Sequence, residues 1–324
     1  MRRFAALAAA LLLPGCSGAL VLSEPGLQAT DGWTPVAAET RTLGLGLPGG
    51  TNLAPGVRFA GGLQIVTPPG HRLHGLSDLK LVDGDLLAVT DAGDLVRATL
   101  ALGRRGRPAG LSNIRPRALT GLDGIPFPTK LDGDAEALAV GADGTVLVAF
   151  EQEPRLWSYG RLDAVRDRPT PGPIPPVAAG NSGMEALAVA HTGTFRVAAE
   201  GGGVWDCSPG GCHERVAPPA QPVAVSDWRI TGMDRDPSGG AWFVVGCRYR
   251  EPVDMRVRLR RMDTAGRLGP VLAILSLLST TDNFEGIAAD SREGRTRLYI
   301  LSDDNDNLRQ RTLLLAFDVV SGRR

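Results

Sequence analysis

Five segments of the chain repeat one pattern, and this repetition restricts the possible folds more than any other feature of the sequence. Each segment leads from a short starting motif into an apolar strand, then through a polar turn into a second apolar strand. The starting motifs are Gly75-Leu-Ser-Asp-Leu79, Asp134-Ala-Glu-Ala-Leu138, Gly183-Met-Glu-Ala-Leu187, Ile230-Thr-Gly-Met233 and Asn283-Phe-Glu-Gly-Ile287. A chain built this way must stack similar β-units against one another.

The spacing of the repeats selects among all-β architectures. The apolar residues that end the starting motifs lie 46 to 59 residues apart. Periods of roughly 40–60 residues with three or four strands each are typical of β-propellers. Gly (42 residues) and Pro (24 residues) are abundant in the 324-residue chain, which favours many turns over long helices. We predict an all-β β-propeller with a central channel; a β-sandwich with accidental similarity is the alternative.

The number of blades depends on strands that precede the first repeat. Residues 57–60 and 63–66 read as strands that either complete the last blade or belong to a further one. We predict six blades, with five as the alternative, in a single propeller domain over residues 56–320. The proline-rich stretch 169–176 reads as a long loop between blades.

The N-terminus has the layout of an export signal. A basic start and an apolar run end in Leu13-Pro14-Gly15-Cys16, which resembles the bacterial lipobox, and the run is too short to span a membrane permanently. We expect a signal peptide over residues 1–15, lipidation of Cys16 as the mature N-terminus, and a tether over residues 17–55. By resemblance to such lipoproteins, Ser17 favours the outer membrane, facing the periplasm. A plain signal peptide with an incidental cysteine is the alternative.

Three further cysteines lie in the exported part of the chain, where disulfides can form. Cys207 and Cys212 flank Ser-Pro-Gly-Gly, a turn that brings the chain back on itself. We predict a disulfide between them, with Cys247 as an odd thiol or an alternative partner. No second Cys/His pair stands at zinc-ligand spacing, so a zinc site is disfavoured.

The repeats also carry acidic residues at corresponding places. In a propeller blade the first strand starts, and the second strand ends, at the same face. The predicted ring of carboxylates therefore combines residues at the starts of first strands (Asp78, Glu136, Glu185, Glu285) with residues at the ends of second strands (Asp91, Glu151, Glu200, Asp303, and Asp304 beside it). Such crowding is unfavourable unless the groups are protonated, paired with arginines or bound to a cation.

Two interpretations of the predicted ring remain open. Oxygen ligands with few histidines favour a hard ion, Ca²⁺ before Mg²⁺, and make Glu136, Glu185 and Glu285 candidates for catalytic work. Alternatively, the glutamates bond to backbone amides and join neighbouring blades. The basic residues Lys130, Arg155 and Arg248 follow or precede ring positions and are predicted to bind substrate phosphate; a solvated or blade-bridging role is their alternative.

Several motifs resemble a known family, the phytase-like domain of bacterial proteins described as esterase-like phytases. The most specific are Asn283-Phe-Glu-Gly-Ile-Ala, Leu301-Ser-Asp-Asp-Asn305 and Gln310-Arg-Thr-Leu-Leu-Leu-Ala-Phe317, and the similarity extends over roughly residues 60–318. Asn305 in the second motif is the fourth predicted substrate-binding residue. The resemblance implies an exported propeller with hydrolase activity on phosphate or other esters. Thr231-Gly232 departs from the glutamate of the other repeats.

The balance of 35 basic and 35 acidic residues gives no bulk attraction to nucleic acid, so nucleic-acid binding is not expected. We expect a monomer that contacts the membrane through its N-terminal lipid only and acts on a phosphorylated or ester small molecule. The favoured function is calcium-assisted phosphoester hydrolysis. A lactone or carboxylic-ester hydrolase and a non-catalytic binding propeller of the cell envelope are the alternatives.

Overall fold

Five antiparallel β-sheets surround a common axis. The computed structural model of the chain describes residues 32–180, 182–191, 193–250 and 253–320. The predicted signal peptide and Cys16 lie outside these residues. Within them, no helix has the length and apolar composition needed to cross a membrane.

Three N-terminal strands come before the first blade and belong to sheets formed much later in the chain. They are β1 (Glu39–Leu43), β2 (Thr51–Leu53) and β3 (Val57–Val66). β3 pairs with the last strand of the chain, β1 pairs with β3, and β2 pairs with the outer strand of the fourth blade. The described part of the predicted tether is therefore packed onto the propeller.

The first three blades have four strands each. Blade 1 contains β4 (Leu76–Val82), β5 (Asp85–Thr90), β6 (Asp94–Leu102) and β7 (Pro108–Ala118). Blade 2 contains β8 (Ala135–Val140), β9 (Thr145–Phe150), β10 (Arg155–Arg161) and β11 (Thr170–Pro171). Blade 3 contains β12 (Met184–His191), β13 (Thr194–Ala199), β14 (Val204–Ser208) and β15 (Gly211–Val216). β11 lies within the stretch predicted as a loop between blades, and two short 3-10 helices occur at Arg104–Gly106 and Leu162–Ala164.

The last two blades recruit the N-terminal strands. Blade 4 contains β16 (Arg229–Arg235), β17 (Ala241–Arg250), β18 (Asp254–Asp263) and β19 (Leu268–Leu275), extended by β2. Blade 5 contains β20 (Asn283–Arg292), β21 (Arg295–Asp303) and β22 (Thr312–Val319), extended by β3 and β1. Pairing of β3 with β22 joins the two ends of the chain and closes the circle.

The predicted β-propeller is confirmed; the prediction of six blades is wrong, and the alternative of five is correct. In the described residues the inner strands β4, β8, β12, β16 and β20 follow one another around the axis, and β20 contacts β4. The strand at residues 57–66 completes the fifth blade, so it does not begin a sixth. The sequence pattern shows that this strand exists, but its partner lies some 250 residues away along the chain.

Hydrophobic packing between blades holds the circle together. Five clusters of buried residues are present, and each joins two neighbouring blades. In β8, for example, Leu138 packs toward blade 1 while Ala137 and Ala139 pack toward blade 3, as expected from the alternation of side chains along a strand. Cys207 and Cys212 form a disulfide across the β14–β15 hairpin, and Cys247 is a buried free thiol.

The role of β3 in closing the circle can be tested by measuring the stability of variants. Leu63 of β3 is fully buried between blades 5 and 1. We predict that Leu63→Ala lowers the free energy of unfolding by about 2–5 kcal/mol, because it leaves a cavity at the closing strand. Arg58→Ala, at an exposed position of the same strand, serves as the control and should change it by less than about 0.5 kcal/mol. Urea unfolding measures both; equal effects would show that β3 does not close the circle.

Candidate metal centre

Every inner strand contains a β-bulge near its start, and this bulge determines which side chains point into the site. The pairing of the first and second strands shifts by one residue near the start of each blade. A β-bulge of this kind leaves one residue unpaired and changes the direction of its side chain. The five unpaired residues are Ser77, Glu136, Glu185, Thr231 and Glu285.

A second set of residues lies where the second strand of each blade ends. The equivalent positions, opposite the starts of the inner strands, are Asp91, Glu151, Glu200, Cys247 and Asp303. Blade 4 differs from the others because it presents Arg229, Thr231 and Cys247 where other blades carry acidic or small residues. It therefore supplies the site with a cation, whereas Cys247 packs in the hydrophobic cluster between blades 4 and 5.

Glycine makes room for the acidic side chains. Gly75 has a left-handed φ of +67°, and a Cβ at this position would lie 2.0 Å from Oδ1 of Asp91. A Cβ at Gly183 would lie 2.9 Å from Cγ of Glu151. A larger residue at either position would displace a carboxyl group of the site.

These positions bring nine carboxyl groups together at one face. We call this set the carboxylate cluster: Asp91, Asp134, Glu136, Glu151, Glu185, Glu200, Glu285, Asp303 and Asp304. Seven of the nine are bulge or strand-end positions, and Asp134 and Asp304 lie beside such positions. Eight of the nine residues are buried, and Glu136 is half-buried. Two triples have carboxylate oxygens within 4.8 Å of one another: Asp134 with Glu136 and Glu151, and Glu151 with Glu185 and Glu200.

Burial governs the protonation of the carboxylate cluster. Loss of solvent raises the pKa of Glu136 and Glu185 well above the usual range, and neighbouring carboxylates raise it further. Burial also raises the pKa of Asp303 to about 6, although the charge of Lys130 opposes the shift. Both effects disfavour the charged form, so without a bound cation the carboxylate cluster retains protons at neutral pH.

Each bulge glutamate shares a hydrogen bond with another carboxyl group. Glu136 bonds to Asp134, Glu185 to Glu151 and Glu285 to Asp303. A hydrogen bond between two carboxyl groups requires a proton on one of them. The three are therefore acid–carboxylate pairs, each held together by a shared proton. A cation could take the place of that proton.

Three cations balance part of the remaining charge. Arg229 Nη1 lies 2.6 Å from Glu200 Oε2, and both side chains are buried. Lys130 Nζ bonds to Asp91, and the Lys130 side chain remains 48% exposed. His74 Nδ1 lies 2.7 Å from Asp304 Oδ2, and this bond raises the pKa of His74 to about 9, so the imidazole is charged at neutral pH.

Asp78, predicted as a ring residue, has different neighbours. Its carboxylate accepts hydrogen bonds from the amides of Leu138 (2.9 Å) and Ile287 (3.3 Å) on the two adjacent blades. Lys80 Nζ lies 2.8 Å from Asp78 Oδ2. Aligned on the apolar anchors, Ser77 rather than Asp78 corresponds to Glu136, and one residue along a strand points to the other face. In blade 1, Asp78 thus joins neighbouring blades through backbone amides, which is the second of the two interpretations of the predicted ring.

The predicted substrate-binding residues occupy four different surroundings. Lys130 is at the edge of the carboxylate cluster, as described above. Arg155 lies over the rings of Phe127, Phe150 and Trp157, at 4.7 to 5.4 Å from their centroids. Arg248 lies 5.0 Å from the ring centre of Trp228. The Asn305 backbone donates to Asp303 Oδ1 at 2.6 Å, and its side chain bonds to Gln310.

Sequence reasoning missed five residues of the site. Asp134 stands in the starting motif but two residues before the glutamate, and Arg229 directly precedes the fourth motif. His74 belongs to blade 1 and its partner Asp304 to blade 5, so their pairing depends on closure of the circle. Ser77 and Thr231 would have emerged from an alignment on the apolar anchors alone.

The donor set fits a hard divalent cation. Both triples offer only carboxylate oxygens, the ligands that Ca²⁺ and Mg²⁺ prefer. Glu200 Oε1 is buried and has no hydrogen-bond partner among the described residues. An unpaired buried carboxylate oxygen is costly, and a cation at the second triple would satisfy it.

Comparison with known proteins gives a family. The sequence profile of the phytase-like family, described as esterase-like activity of phytase, matches residues 71–306. No curated protein matches the chain.

The solved structures that match the chain share little sequence with it. A putative gluconolactonase is 14% identical, with a TM-score of 0.45 over 91% of this chain and 99% of its own. A luciferin-regenerating enzyme is 9% identical, with a TM-score of 0.41 over 86% of this chain and 95% of its own. YCF48 bound to a D1 peptide is 11% identical, with a TM-score of 0.36 over 83% of this chain and 98% of its own.

The raised pKa values predict how stability depends on pH without a cation. A carboxyl group with a raised pKa in the folded state stabilises the fold at low pH, and this contribution is lost as pH rises through the folded pKa. In chelator, we expect the protein to be about 2 kcal/mol or more less stable at pH 8 than at pH 5. Glu136→Gln, which resembles the protonated form, should reduce this difference by about 1 kcal/mol. Urea unfolding at the two pH values measures it.

Glu153→Gln is the matched control, because the Glu153 side chain is 85% exposed and lies two residues from Glu151. It should leave the difference between pH 5 and pH 8 unchanged. Wild-type stability that is constant or rises between these pH values would contradict the protonated state of the carboxylate cluster.

Proposed function

Because the chain belongs to the phytase-like family, described as esterase-like activity of phytase, we propose that it is a hydrolase that cleaves a small phosphate ester with the help of a divalent cation, Ca²⁺ first. The observation that carries the proposal is the position of Glu151. Its carboxylate belongs to both triples of the carboxylate cluster. One side chain thus connects two adjacent cation sites, an arrangement that suits a phosphate group bridging them.

The residues that would hold cations are those of the two triples. Asp134, Glu136 and Glu151 form the first set, and Glu151, Glu185 and Glu200 the second. A bound divalent cation supplies charge neutralisation for a phosphate group and lowers the pKa of a coordinated water. Because its ligands must be ionised, binding would displace the protons shared within the acid–carboxylate pairs.

The chain's own cations would orient the substrate. Lys130 is half-exposed at the edge of the carboxylate cluster, so its ammonium group can leave Asp91 to meet a phosphate oxygen. Arg155 is held by aromatic rings beside blade 2, which limits its motion and favours a fixed guanidinium. Arg229 is buried, and its role is to balance the charge of Glu200.

A glutamate at one of the β-bulges would accept the proton that the attacking water releases. In hydrolysis, the water oxygen forms a bond to phosphorus, the ester P–O bond breaks and the water gives up a proton. Glu136, Glu185 and Glu285 are the candidates to accept that proton, because each already exchanges a hydrogen bond with a neighbouring carboxyl group. The leaving alcohol takes a proton from solvent or from one of the same groups.

The main competing function is a binding propeller without catalysis. Pairing of Asp91, Glu200 and Asp304 with Lys130, Arg229 and His74 favours it, since these carboxylates are already neutralised within the protein. Glu136, Glu151 and Glu185 have carboxyl partners instead, which supports a cation site. A hydrolase of lactones or carboxylic esters would use the same cation to polarise a carbonyl group.

The proposal extends to location. The lipobox-like motif at Cys16 supports an exported lipoprotein anchored in the outer membrane and facing the periplasm. The disulfide between Cys207 and Cys212 suits an oxidising compartment.

Calcium should stabilise the wild-type protein against heat, because a ligand bound only by the folded state adds stability. We expect Glu151→Gln to lose most of this calcium-dependent shift, since it removes a charged ligand from both triples. The exposed Glu153→Gln should retain it. Thermal melts in calcium and in chelator measure the effect, and an equal calcium shift in all three proteins would exclude the two triples as the site.

Hydrolysis assays test the reaction itself. With calcium, we expect release of phosphate from phosphate monoesters by wild type and by Glu153→Gln, and a loss of about 100-fold or more in Glu151→Gln. Turnover of simple esters or lactones in place of phosphate esters would support the carbonyl chemistry. Calcium binding without turnover of any of these substrates would favour the binding propeller.

A further inference from the structure

The face of the propeller opposite the carboxylate cluster has a basic cavity between blades 5 and 1. The cavity has a volume of about 360 Å³ and is lined by Arg105, Gly106, Arg292, Glu293, Arg295 and Arg297. These residues belong to the loop after β6, the end of β20, the start of β21 and the turn between those two strands. Glu285 lies near the start of β20, about 23 Å along the strand from Arg292, so the two sites are separate.

Two guanidinium groups converge on Gly106. A Cβ at this glycine would lie 3.5 Å from Nη1 of Arg297 and 3.7 Å from Nη1 of Arg292. Arg105 and Gly106 both have left-handed backbone conformations, with φ of +58° and +64°. The missing side chain at Gly106 leaves the space beside these nitrogens open.

Carboxylates hold the arginines of the cavity in position. Arg297 Nε lies 2.6 Å from Asp318 Oδ1, and Arg292 Nε lies 3.0 Å from Asp290 Oδ2. Arg297 Nη1 also donates to the carbonyl of Gly106, which joins blade 5 to the loop of blade 1. Arg297 is thus held through all three of its nitrogens and Arg292 through Nε alone, and side chains fixed in advance lose little entropy when they bind a ligand.

The positive charge at the cavity exceeds the negative charge. Arg105, Arg292, Arg295 and Arg297 are opposed by Glu293, Asp290 and Asp318. Arg105 is exposed and makes no ion pair with another residue in the described part of the chain. Near Arg292 and Arg297, the hydroxyl of buried Tyr299 has no acceptor for its proton among the described residues.

We propose that this cavity binds the phosphate group of a small phosphate ester or of a phospholipid headgroup. The Nη nitrogens of Arg292 and the guanidinium group of Arg105 come from two blades and match the several oxygens of phosphate, and Arg105 supplies the charge that no internal carboxylate neutralises. The volume is that of a small-molecule site. The proposal is independent of the activity proposed for the carboxylate cluster, since it uses other residues on another face.

Adjacent arginines of one loop provide a matched test. Arg104 and Arg105 are both exposed and carry the same charge, but only Arg105 lines the cavity. Binding of inorganic phosphate and of glycerol 3-phosphate is measured by calorimetry in chelator, which removes cation-dependent binding at the carboxylate cluster. Flotation measures binding to phosphatidylcholine vesicles with and without phosphatidylglycerol. Arg105→Gln, Arg104→Gln and Arg292→Gln are compared with wild type, and thermal melts verify that each variant is folded.

We expect wild type to bind at least one of these probes, with an affinity about tenfold lower in Arg105→Gln and in Arg292→Gln and unchanged in Arg104→Gln. Selective loss with the soluble phosphates would assign the cavity to a phosphate ester. Selective loss with phosphatidylglycerol vesicles alone would assign it to a headgroup. Equal losses in Arg104→Gln and Arg105→Gln would show nonspecific attraction, and this result or the absence of binding to every probe would overturn the proposal.

Discussion

Burial of like charges at one end of the propeller is the physical constraint on which the rest of the site depends. Each carboxyl group of the carboxylate cluster loses solvent, and each charged neighbour makes its ionisation more costly. The protein reduces this cost in two ways: three cations pair with Asp91, Glu200 and Asp304, and the bulge glutamates share protons with neighbouring carboxyl groups. A cation would replace the shared protons and leave the surrounding pairs in place.

The position of these groups follows from how the blades are built. Packing between blades fixes the apolar residues on both sides of each inner strand, and the repeated bulge is what frees one residue per blade from that packing. Where the bulge carries a glutamate it joins the carboxylate cluster, and where it carries Ser77 or Thr231 the hydroxyl bonds to a backbone carbonyl instead. The asymmetry of the site therefore comes from single residues at equivalent positions.

Much of this could be predicted from the sequence, because repeats with regular anchors determine strand order and the face on which strand ends meet. The propeller and most acidic positions follow from that pattern, and the resemblance to the family follows from the motifs between residues 283 and 317. The number of blades could not be predicted, because the pairing of β3 with β22 joins distant parts of the chain. Asp78 is the acidic residue of its motif, but alignment on the apolar anchors places Ser77 at the position of Glu136, so Asp78 points to the other face. The pairs His74–Asp304 and Arg229–Glu200 depend on contacts between blades that no local motif contains.

The central claim is that the acid–carboxylate pairs of the carboxylate cluster give up protons to a divalent cation. Calorimetric titration of the chelator-treated protein with calcium at pH 7, in two buffers with different enthalpies of ionisation, counts those protons directly. The account predicts saturable binding with release of at least about one proton per bound cation. Binding without proton release, or no binding of calcium or magnesium, would contradict it.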